Sequence, residues 1–580
     1  MGMRIFVPTS AALLLALQPS IAPAQSDSSN SGPGAAIAAL THMAEVPPGP
    51  LAGPPRIPVT SQTPPANAAD ISFVLTAITL AGGTIYPKGL LAAIYGDRIG
   101  TTVTLLDLFS IAAQLQDRYR EDGYLFTRVL VPAQDINGGA VLLELIEAVI
   151  EEVVIEEPAG PLGPVRALAD VIIAPLIGRA NPRLTDIEAT LLRLNDIPGV
   201  TRAAAVPKLG GDLRGGVRLF VNMERTPLEA VIFVDNRQSP VIGTGLYGVV
   251  ASWSSWSRWG DITTISAFGS GDFDDDFPDD FEERWTVQLE HSRFIGSSGL
   301  SLRLRGLYSE TRPGDAVSDF NIRGTQREFE AGFLYPLRRT RALSADLSLG
   351  LEVIEVDSLV PASDGGAGLV TADDAIRAAY LGASLVQRDA WGASEAEVEL
   401  RLGLDIFGAS RPEDEGLSRS DGDGQFMLIR GHAARTLTVP DLAPFSFWGE
   451  VRAQWADRAL LSPEEFAIGG PTLARAYDPS EYSGDNGIGV TVEIRVPANF
   501  SLFAQPIGAT LYAFGDAAEI SNLAGGAPAH SSLISAGFGV RAVLPAGGAL
   551  NLEAAKPINQ PLARTSSDAW RFFFSASKQF

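Results

Sequence analysis

The chain has 580 residues, a formal net charge of −24 and an isoelectric point near 4.6. Because an acidic chain repels nucleic-acid phosphates, neither DNA nor RNA is expected as a partner. The chain has no cysteine, which excludes disulfides, thiolate metal ligands and thiol nucleophiles.

Residues 1–24 have the pattern of a secretory signal peptide. Arg4 precedes an apolar stretch from Ile5 to Leu17, and Ala22-Pro23-Ala24 supplies the small residues of a cleavage site after Ala24. The alternative is an N-terminal helix buried in the fold. No later segment has the run of about 18 apolar residues that a transmembrane helix needs. If the exported chain spans a membrane, we therefore expect it to do so as a closed β-barrel.

Residues 25–69 are predicted to be a linker, because proline, glycine and serine dominate their composition. Within the linker, residues 35–46 have the composition of a short helix, a candidate plug for the barrel. The alternative for residues 35–46 is a helical patch in a disordered tail.

Two α/β units are predicted next, over residues 70–157 and 158–225. In the first, periodicity predicts strands and helices in the following order: a strand over Ser72–Leu80, helices over Leu90–Tyr95 and Leu105–Tyr119, and strands over Phe126–Val131 and Ala140–Val154. In the second, it predicts helices over Val165–Ile177 and Thr185–Asn195, then strands over Arg202–Lys208 and Val217–Met223.

Residues 226–580 alternate apolar and polar positions in segments of about ten residues, which is typical of strands in an outer-membrane barrel. Val490, Val492 and Ile494, for example, alternate with Thr491 and Glu493. Short turns alternate with long polar loops, such as 360–374, as expected when turns face the periplasm and loops face outside. About 16 antiparallel strands are predicted, and an even number places both barrel ends on the periplasmic side.

The chain ends in a predicted closing strand, Trp570–Phe580, with aromatic residues on one face. A terminal aromatic residue is common in outer-membrane barrels, where the barrel-assembly machinery recognises it. Outer-membrane lipid and this machinery are therefore expected partners of a Gram-negative outer-membrane protein.

The first α/β unit contains Tyr119, Gly123, Tyr124, Pro132 and Gln134 in an order that resembles the YRxxGY…P-x-Q motif of two-partner secretion transporters. These are the TpsB proteins of the haemolysin secretion/activation type, ShlB/FhaC/HecB. Further similar motifs are Ile197-Pro198-Gly199-Val200, Val234-Asp235-Asn236 and Gly243-Thr244-Gly245. The resemblance covers nearly all of the mature chain. It implies two periplasmic POTRA domains before the barrel, with the five residues of the first motif as candidates for substrate binding.

A second, more specific motif lies between the eleventh and twelfth predicted barrel strands. It contains Gly469, Gly470, Arg475 and Tyr477, and resembles the family's lGG…VRGY/F loop. The resemblance implies that this loop folds into the lumen and that Arg475 pairs with an acid on a neighbouring strand. Phe514-Gly515-Asp516 resembles the strand motif that supplies this acid, so Asp516 is the candidate. Ala476 and Ala518 stand where the family usually has glycine.

The resemblance implies a transporter that captures a large exported partner protein, TpsA-like and repetitive, and passes it through the barrel. The alternatives are a barrel-assembly or lipid-handling factor, a passive porin, or an envelope enzyme. Two POTRA units are fewer than an assembly factor usually has, and they argue against a plain porin. An enzyme is not expected, since the four histidines are scattered and no nucleophile motif is present.

No cofactor or metal is expected elsewhere in the chain, but the acidic loop 272–283 leaves two interpretations. Its many carboxylates would suit calcium, whereas its spacing is not that of an EF-hand. A solvated external loop is the favoured interpretation.

Overall fold

The computed structural model describes residues 62–210, 214–272, 283–361, 368–502, 505–523, 529–562 and 566–580. The predicted signal peptide, the candidate plug helix over 35–46 and nearly all of the candidate calcium loop lie outside these residues. The chain divides into two compact units, of which one ends at Arg225 and the other contains Thr226–Phe580. In the described part of the chain, no helix is both long enough and apolar enough to cross a bilayer.

The described part of the first unit contains four α-helices and eight strands. The helices are α1 (Lys88–Ala92), α2 (Leu105–Glu121), α3 (Arg166–Ile173) and α4 (Leu184–Asn195). The strands are β1 (Ser72–Val74), β2 (Ala77–Gly82), β3 (Thr102–Thr104), β4 (Arg128–Leu130), β5 (Ala140–Ile146), β6 (Val149–Glu156), β7 (Val200–Leu209) and β8 (Gly216–Arg225). They form two three-stranded sheets, β2-β5-β4 and β6-β8-β7, and β1 pairs with β3.

Helix α2 shows how the sequence builds the core of the first sheet. Thr104 caps its first turn, with Asp107 completing a capping box. Side chains at helical spacing then form a buried stripe that packs in one core with Leu143 of β5. Residues of this stripe are Leu108, Ile111, Ala112, Leu115 and Tyr119.

The prediction of one strand over Ala140–Val154 is wrong. The strand breaks at Glu147 and Ala148, and β6 pairs in parallel with β8 of the second sheet. The second sheet therefore begins inside the predicted first unit, before residue 158. The run is apolar on both sides of the break, so periodicity cannot assign its halves to two sheets. The predicted strand Ser72–Leu80 likewise consists of two short strands, β1 and β2.

The second unit is a closed antiparallel barrel, which confirms the prediction of about 16 strands. Its sixteen strands in wall order are β9 (Leu228–Asp235), β10 (Gly245–Ser254), β11 (Asp261–Gly271), β12 (Arg284–Phe294), β13 (Ser301–Thr311), β14 (Arg323–Arg339), β15 (Leu343–Val360), β16 (Leu369–Asp389), β17 (Gly392–Gly403), β18 (Met427–Thr438), β19 (Ser446–Ala456), β22 (Asn486–Leu502), β23 (Gln505–Ser521), β24 (His530–Leu544), β25 (Gly548–Pro557) and β26 (Arg571–Gln579). Two short strands, β20 (Phe466–Ile468) and β21 (Tyr482–Gly484), pair with each other outside the wall.

The alternation along the wall strands separates an apolar outer face from a polar lumen. On β22, Val492 and Ile494 are about half exposed, whereas Thr491, Glu493 and Arg495 are buried. An apolar outer face is what a barrel in lipid requires. One predicted loop is too long: β16 begins at Leu369, so the loop predicted over 360–374 ends six residues earlier than expected.

The barrel closes where β26 pairs with β9, from Ser575↔Asp235 to Gln579↔Val231. The Asn236 side chain extends this seam, because its Oδ1 accepts from the Phe574 N–H at 2.7 Å and its Nδ2 donates to the Phe572 carbonyl at 3.1 Å. Asn236 thus continues the pairing beyond the last residue of β9.

Candidate functional site

Residues 457–485, the inward segment, connect β19 to β22 but take no part in the wall. β19 pairs directly with β22, so the wall closes without the segment. The segment contacts lumen-facing side chains of wall strands as far apart as β17 and β26. A connection that reaches inward-facing residues on such separate strands must lie inside the barrel.

Arg475 of the inward segment and Asp516 of β23 are directly bonded. The Arg475 main-chain N–H and Nε donate to Asp516 Oδ2 at 2.9 and 3.2 Å, and Nη2 donates to Oδ1 at 3.1 Å. Both residues are at least 95% buried. A guanidinium fork on one carboxylate is the strongest geometry available to such a pair.

Three further wall residues surround the Arg475 guanidinium. Its Nη1 donates to Glu493 at 2.7 Å and, less closely, to Glu553 at 3.4 Å. The guanidinium carbon lies 3.5 Å from the centroid of the Phe514 ring, a cation–π contact. Sequence motifs did not identify Glu493 or Glu553 as partners. The alternation places both in the lumen, but the strand registers that bring them to Arg475 are not encoded in either strand alone.

Gly469 and Gly470 shape the turn that carries the segment inward. Their φ angles are 104° and 96°, in the region that favours glycine. A Cβ on Gly469 would lie 2.3 Å from the Asp478 carbonyl oxygen. The ring of Tyr477 is buried, and its hydroxyl donates to the Gln560 carbonyl at 2.7 Å. These residues fix the shape of the segment beside Arg475.

Ala476 and Ala518 occupy positions where glycine is usual in the family. Both are buried in one apolar cluster with Leu473 and Phe514. Neither has a positive φ angle, so an alanine fits here without backbone strain.

Asp485, the last residue of the inward segment, is a further buried acid with several partners. It is fully buried, and it accepts hydrogen bonds from Arg419, which lies in the loop between β17 and β18, at 2.6 and 3.1 Å. It also accepts from the Leu460 and Leu523 N–H groups, each at 2.7 Å. One carboxylate therefore joins the segment to two other loops.

In the first unit, Tyr119, Gly123 and Tyr124 lie together at the end of α2. Tyr119 is completely buried in the core, so its side chain offers no surface to a partner. Gly123 has a φ angle of 89° and turns the chain out of the helix. The ring of Tyr86 packs edge-on against both tyrosines. Burial, together with a hydrogen bond to Asp122, raises the pKa of Tyr86 to about 12.

Pro132 and Gln134 lie just beyond the edge strand β4. The Gln134 side chain accepts from the Leu142 N–H at 2.7 Å and donates to the Leu142 carbonyl at 2.8 Å. Pro132 follows β4 and has no N–H to donate. The Gln134 side chain thus takes the place of main-chain pairing with β5 at this point.

A side chain also occupies part of the edge at β4. Gln62 accepts from the Val131 N–H at 2.8 Å and donates to the Val131 carbonyl at 3.1 Å. These are the two bonds that a paired strand would make. In the second sheet, Asn195 bonds both main-chain groups of Ala203 on β7 in the same way.

No group of three or more histidine and acidic side chains in the described ranges could hold a metal ion. The candidate calcium loop is described only at Asp272 and Glu283. Asp272 accepts hydrogen bonds from the N–H and hydroxyl of Thr244 at 2.9 and 3.0 Å.

Comparison with known proteins places this arrangement in a family. Residues 217–542 match the family model of the haemolysin secretion/activation protein ShlB/FhaC/HecB, and residues 73–148 match the ShlB-type POTRA domain. The chain is 20% identical to the heme/hemopexin transporter protein HuxB of Haemophilus influenzae, over 84% of each chain. It is 21% identical to the outer membrane transporter CdiB of Escherichia coli, over 79% of this chain and 74% of CdiB. The solved structure of CdiB from Escherichia coli superposes with a TM-score of 0.68 at 18% identity, covering 92% of this chain and 94% of that one.

Proposed function

Because the chain belongs to the haemolysin secretion/activation protein family ShlB/FhaC/HecB, we propose that it recognises a large exported partner protein in the periplasm and secretes it through its barrel. The chain is an outer-membrane transporter of the two-partner secretion type, with its POTRA units in the periplasm.

The observation that carries the proposed route is the inward segment. It occupies the lumen and is held there by non-covalent bonds, of which those between Arg475 and Asp516 are the most extensive. A segment held in this way can move without breaking the wall, because β19 and β22 pair without it. We infer that the partner passes when the inward segment shifts.

Capture of the partner is assigned to the edges of the two periplasmic sheets. Edge strands bind extended chains through main-chain hydrogen bonds. β4 and β7 are edge strands. The Gln62 amide already bonds Val131, the residue after β4, and the Asn195 amide already bonds Ala203 of β7. Such amides can be exchanged for the backbone of an extended partner.

The occupied lumen does not suit a passive porin, whose pore stays open. A barrel-assembly or lipid-handling role is also less favoured, because the described part of the first unit contains two three-stranded sheets, and thus two POTRA-like units. Outer-membrane lipid and the barrel-assembly machinery remain proposed partners of the barrel itself.

The test is deletion of the gene, followed by comparison of the proteins in the medium and on the cell surface. We expect one large protein to disappear from both and to return when the wild-type gene is restored. An unchanged set of exported proteins would contradict the proposed function.

A further inference from the structure

Glu464, in the first half of the inward segment, is bonded to the barrel wall at a place remote from Arg475. Arg401 of β17 donates from Nη2 to Glu464 Oε1 at 2.6 Å. Each of these residues is 1% exposed. In addition, Gln454 of β19 donates to the Glu464 main-chain carbonyl at 2.8 Å. A buried, charge-assisted bond of this length is strong.

The Glu464 contact lies at a different part of the wall from the Arg475 contact, and its charges are reversed between segment and wall. Arg475 brings a cation to acids on β22, β23 and β25, whereas Glu464 brings an acid to a cation on β17. Three wall strands (β18, β19 and β22) lie between β17 and β23. The segment is thus fastened to two different parts of the wall by charges of opposite sign.

The two contacts differ in what they leave behind when they break. Arg401 also bonds Glu352 at 2.8 Å and lies 3.6 Å from Glu399, and both acids belong to the wall. If the segment moves away, Arg401 therefore stays paired. Charges that lose every partner in a confined space are costly, and on the wall side release at Glu464 does not carry that penalty.

Asp516 is in a different position. After loss of Arg475, its remaining partner among the described residues is the Ser535 hydroxyl at 3.0 Å. Breaking the contact at Arg475 therefore leaves a carboxylate without a counter-charge in direct contact. For the wall, opening the contact at Glu464 is therefore the less costly of the two.

We propose that Glu464 and Arg401 form a second latch, which positions the inward segment in the lumen independently of Arg475 and Asp516. The inference rests on the proposed function, in which movement of this segment opens the route through the barrel. Glu464 and Arg401 are positioning residues, because they hold the segment and need not touch the transported chain.

The first measurement is the current through the full-length chain in planar lipid bilayers in KCl. Glu464→Gln removes the latch charge, keeps the side-chain size and leaves Arg401 paired with wall acids. We expect the ratio of open to closed time to rise roughly tenfold, as for loss of a charged hydrogen bond. The double variant Glu464→Gln, Arg475→Gln should be open more than Arg475→Gln alone.

Asp346→Asn is the matched control. Asp346 is a buried carboxylate paired with Arg339, but both residues belong to the wall. Its loss should leave the open time unchanged. Heat-modifiable migration in gels shows that each variant has formed its barrel.

A second readout uses the absence of cysteine from the chain. A single Thr472→Cys substitution in the inward segment can be labelled with a maleimide reagent, and adding Glu464→Gln should speed the labelling several-fold. The second latch is disproved if Glu464→Gln matches Asp346→Asn in both conductance and labelling.

The secretion assay separates this outcome from failure of the proposed function. If the chain is needed for export but Glu464→Gln changes neither readout, the latch is wrong and the transporter stands. If Glu464→Gln changes both readouts while gene deletion leaves export unchanged, the latch stands and the proposed function is wrong.

Discussion

The main-chain N–H of Arg475 and its Nε donate to the same oxygen of Asp516. The backbone of the inward segment is therefore bound to β23 along with the side chain. Part of this attachment persists when the guanidinium is removed, but every bond to Asp516 is lost when Asp516 is replaced.

The effects of the two replacements on the inward segment should nevertheless rank in the opposite order, because Arg475 has other partners besides Asp516. Arg475→Ala loses the side-chain bonds to Asp516, Glu493 and Glu553 together with the ring contact, and keeps only the main-chain bond to Asp516. Asp516→Ala leaves Arg475 bonded to Glu493 at 2.7 Å. At about 1.5 to 3 kcal/mol for each hydrogen bond to a charged group, we expect Arg475→Ala to free the segment more than Asp516→Ala. Conductance and Thr472→Cys labelling measure the order. Equal effects of the two variants would mean that the contact between Arg475 and Glu493 does not help to hold the inward segment.

Replacement of Gly469 should distort the inward segment. Alanine at this position combines an unfavourable φ of 104° with a Cβ that would lie 2.3 Å from the Asp478 carbonyl oxygen. We expect Gly469→Ala to lower secretion severely although the barrel still forms. Gly508→Ala is the control, because a Cβ there meets nothing within 4 Å. If both variants secrete normally, the turn at Gly469 is not required.

Tyr119 should behave as a core residue. Its side chain is completely buried, and its hydroxyl lies 3.4 Å from Glu147. Tyr119→Ala should destabilise a fragment of residues 53–225 by about 3 to 5 kcal/mol, whereas Tyr119→Phe should cost about 1 kcal/mol. Urea unfolding measures both. A stable Tyr119→Ala fragment that no longer binds the partner would instead indicate direct recognition.

Gln134 should stabilise the first sheet through its side chain. Loss of its two bonds to Leu142 leaves those main-chain groups without this partner, so Gln134→Ala should lower the free energy of unfolding by about 1 to 3 kcal/mol. Gln114→Ala is the control, because Gln114 is a surface residue of α2 whose amide lies 3.4 Å from the Ser110 hydroxyl. Similar urea midpoints for the two variants would contradict this role.

Glu147 should make the stability of the same fragment depend on acidity. Burial alone would raise its pKa, but the hydrogen bonds from Thr84, Ile85 and Asn181 lower it below the ordinary 4.5. The stabilisation is therefore complete above the ordinary value and is lost as the pH falls through the lowered value. Glu147→Gln should unfold at lower urea than the wild type at pH 7. The difference should shrink towards pH 3, and a constant difference would refute this origin.

The sequence predicts which face of a strand a residue lies on better than it predicts the register in which two strands pair. Alternation over Val490–Val496 correctly separates lipid-facing from lumen-facing residues, because this depends on strand geometry alone. The pairing of Thr491 with Asp516, which sets Glu493 beside Arg475, depends on how two strands align. Neither strand encodes this alignment by itself, and so Glu493, Glu553 and the Arg401–Glu464 pair were not predicted.

The same distinction explains the error in the first unit. Ala140–Val154 reads as one strand because both halves are apolar and rich in branched residues. The break at Glu147 depends on its hydrogen bonds to Thr84, more than sixty residues earlier in the chain. Asp516, in contrast, was identified from a short motif within one strand.

The Gln62 amide makes pairing at the β4 edge more favourable for a long extended chain than for a short one. An extended chain that pairs at Val131 must first replace two hydrogen bonds that already exist, so a short segment gains almost nothing by binding. A long segment can continue the pairing past that position and recover more than it displaces. If the partner binds at this edge as we propose, the Gln62 amide therefore favours a long unfolded polypeptide over a short segment.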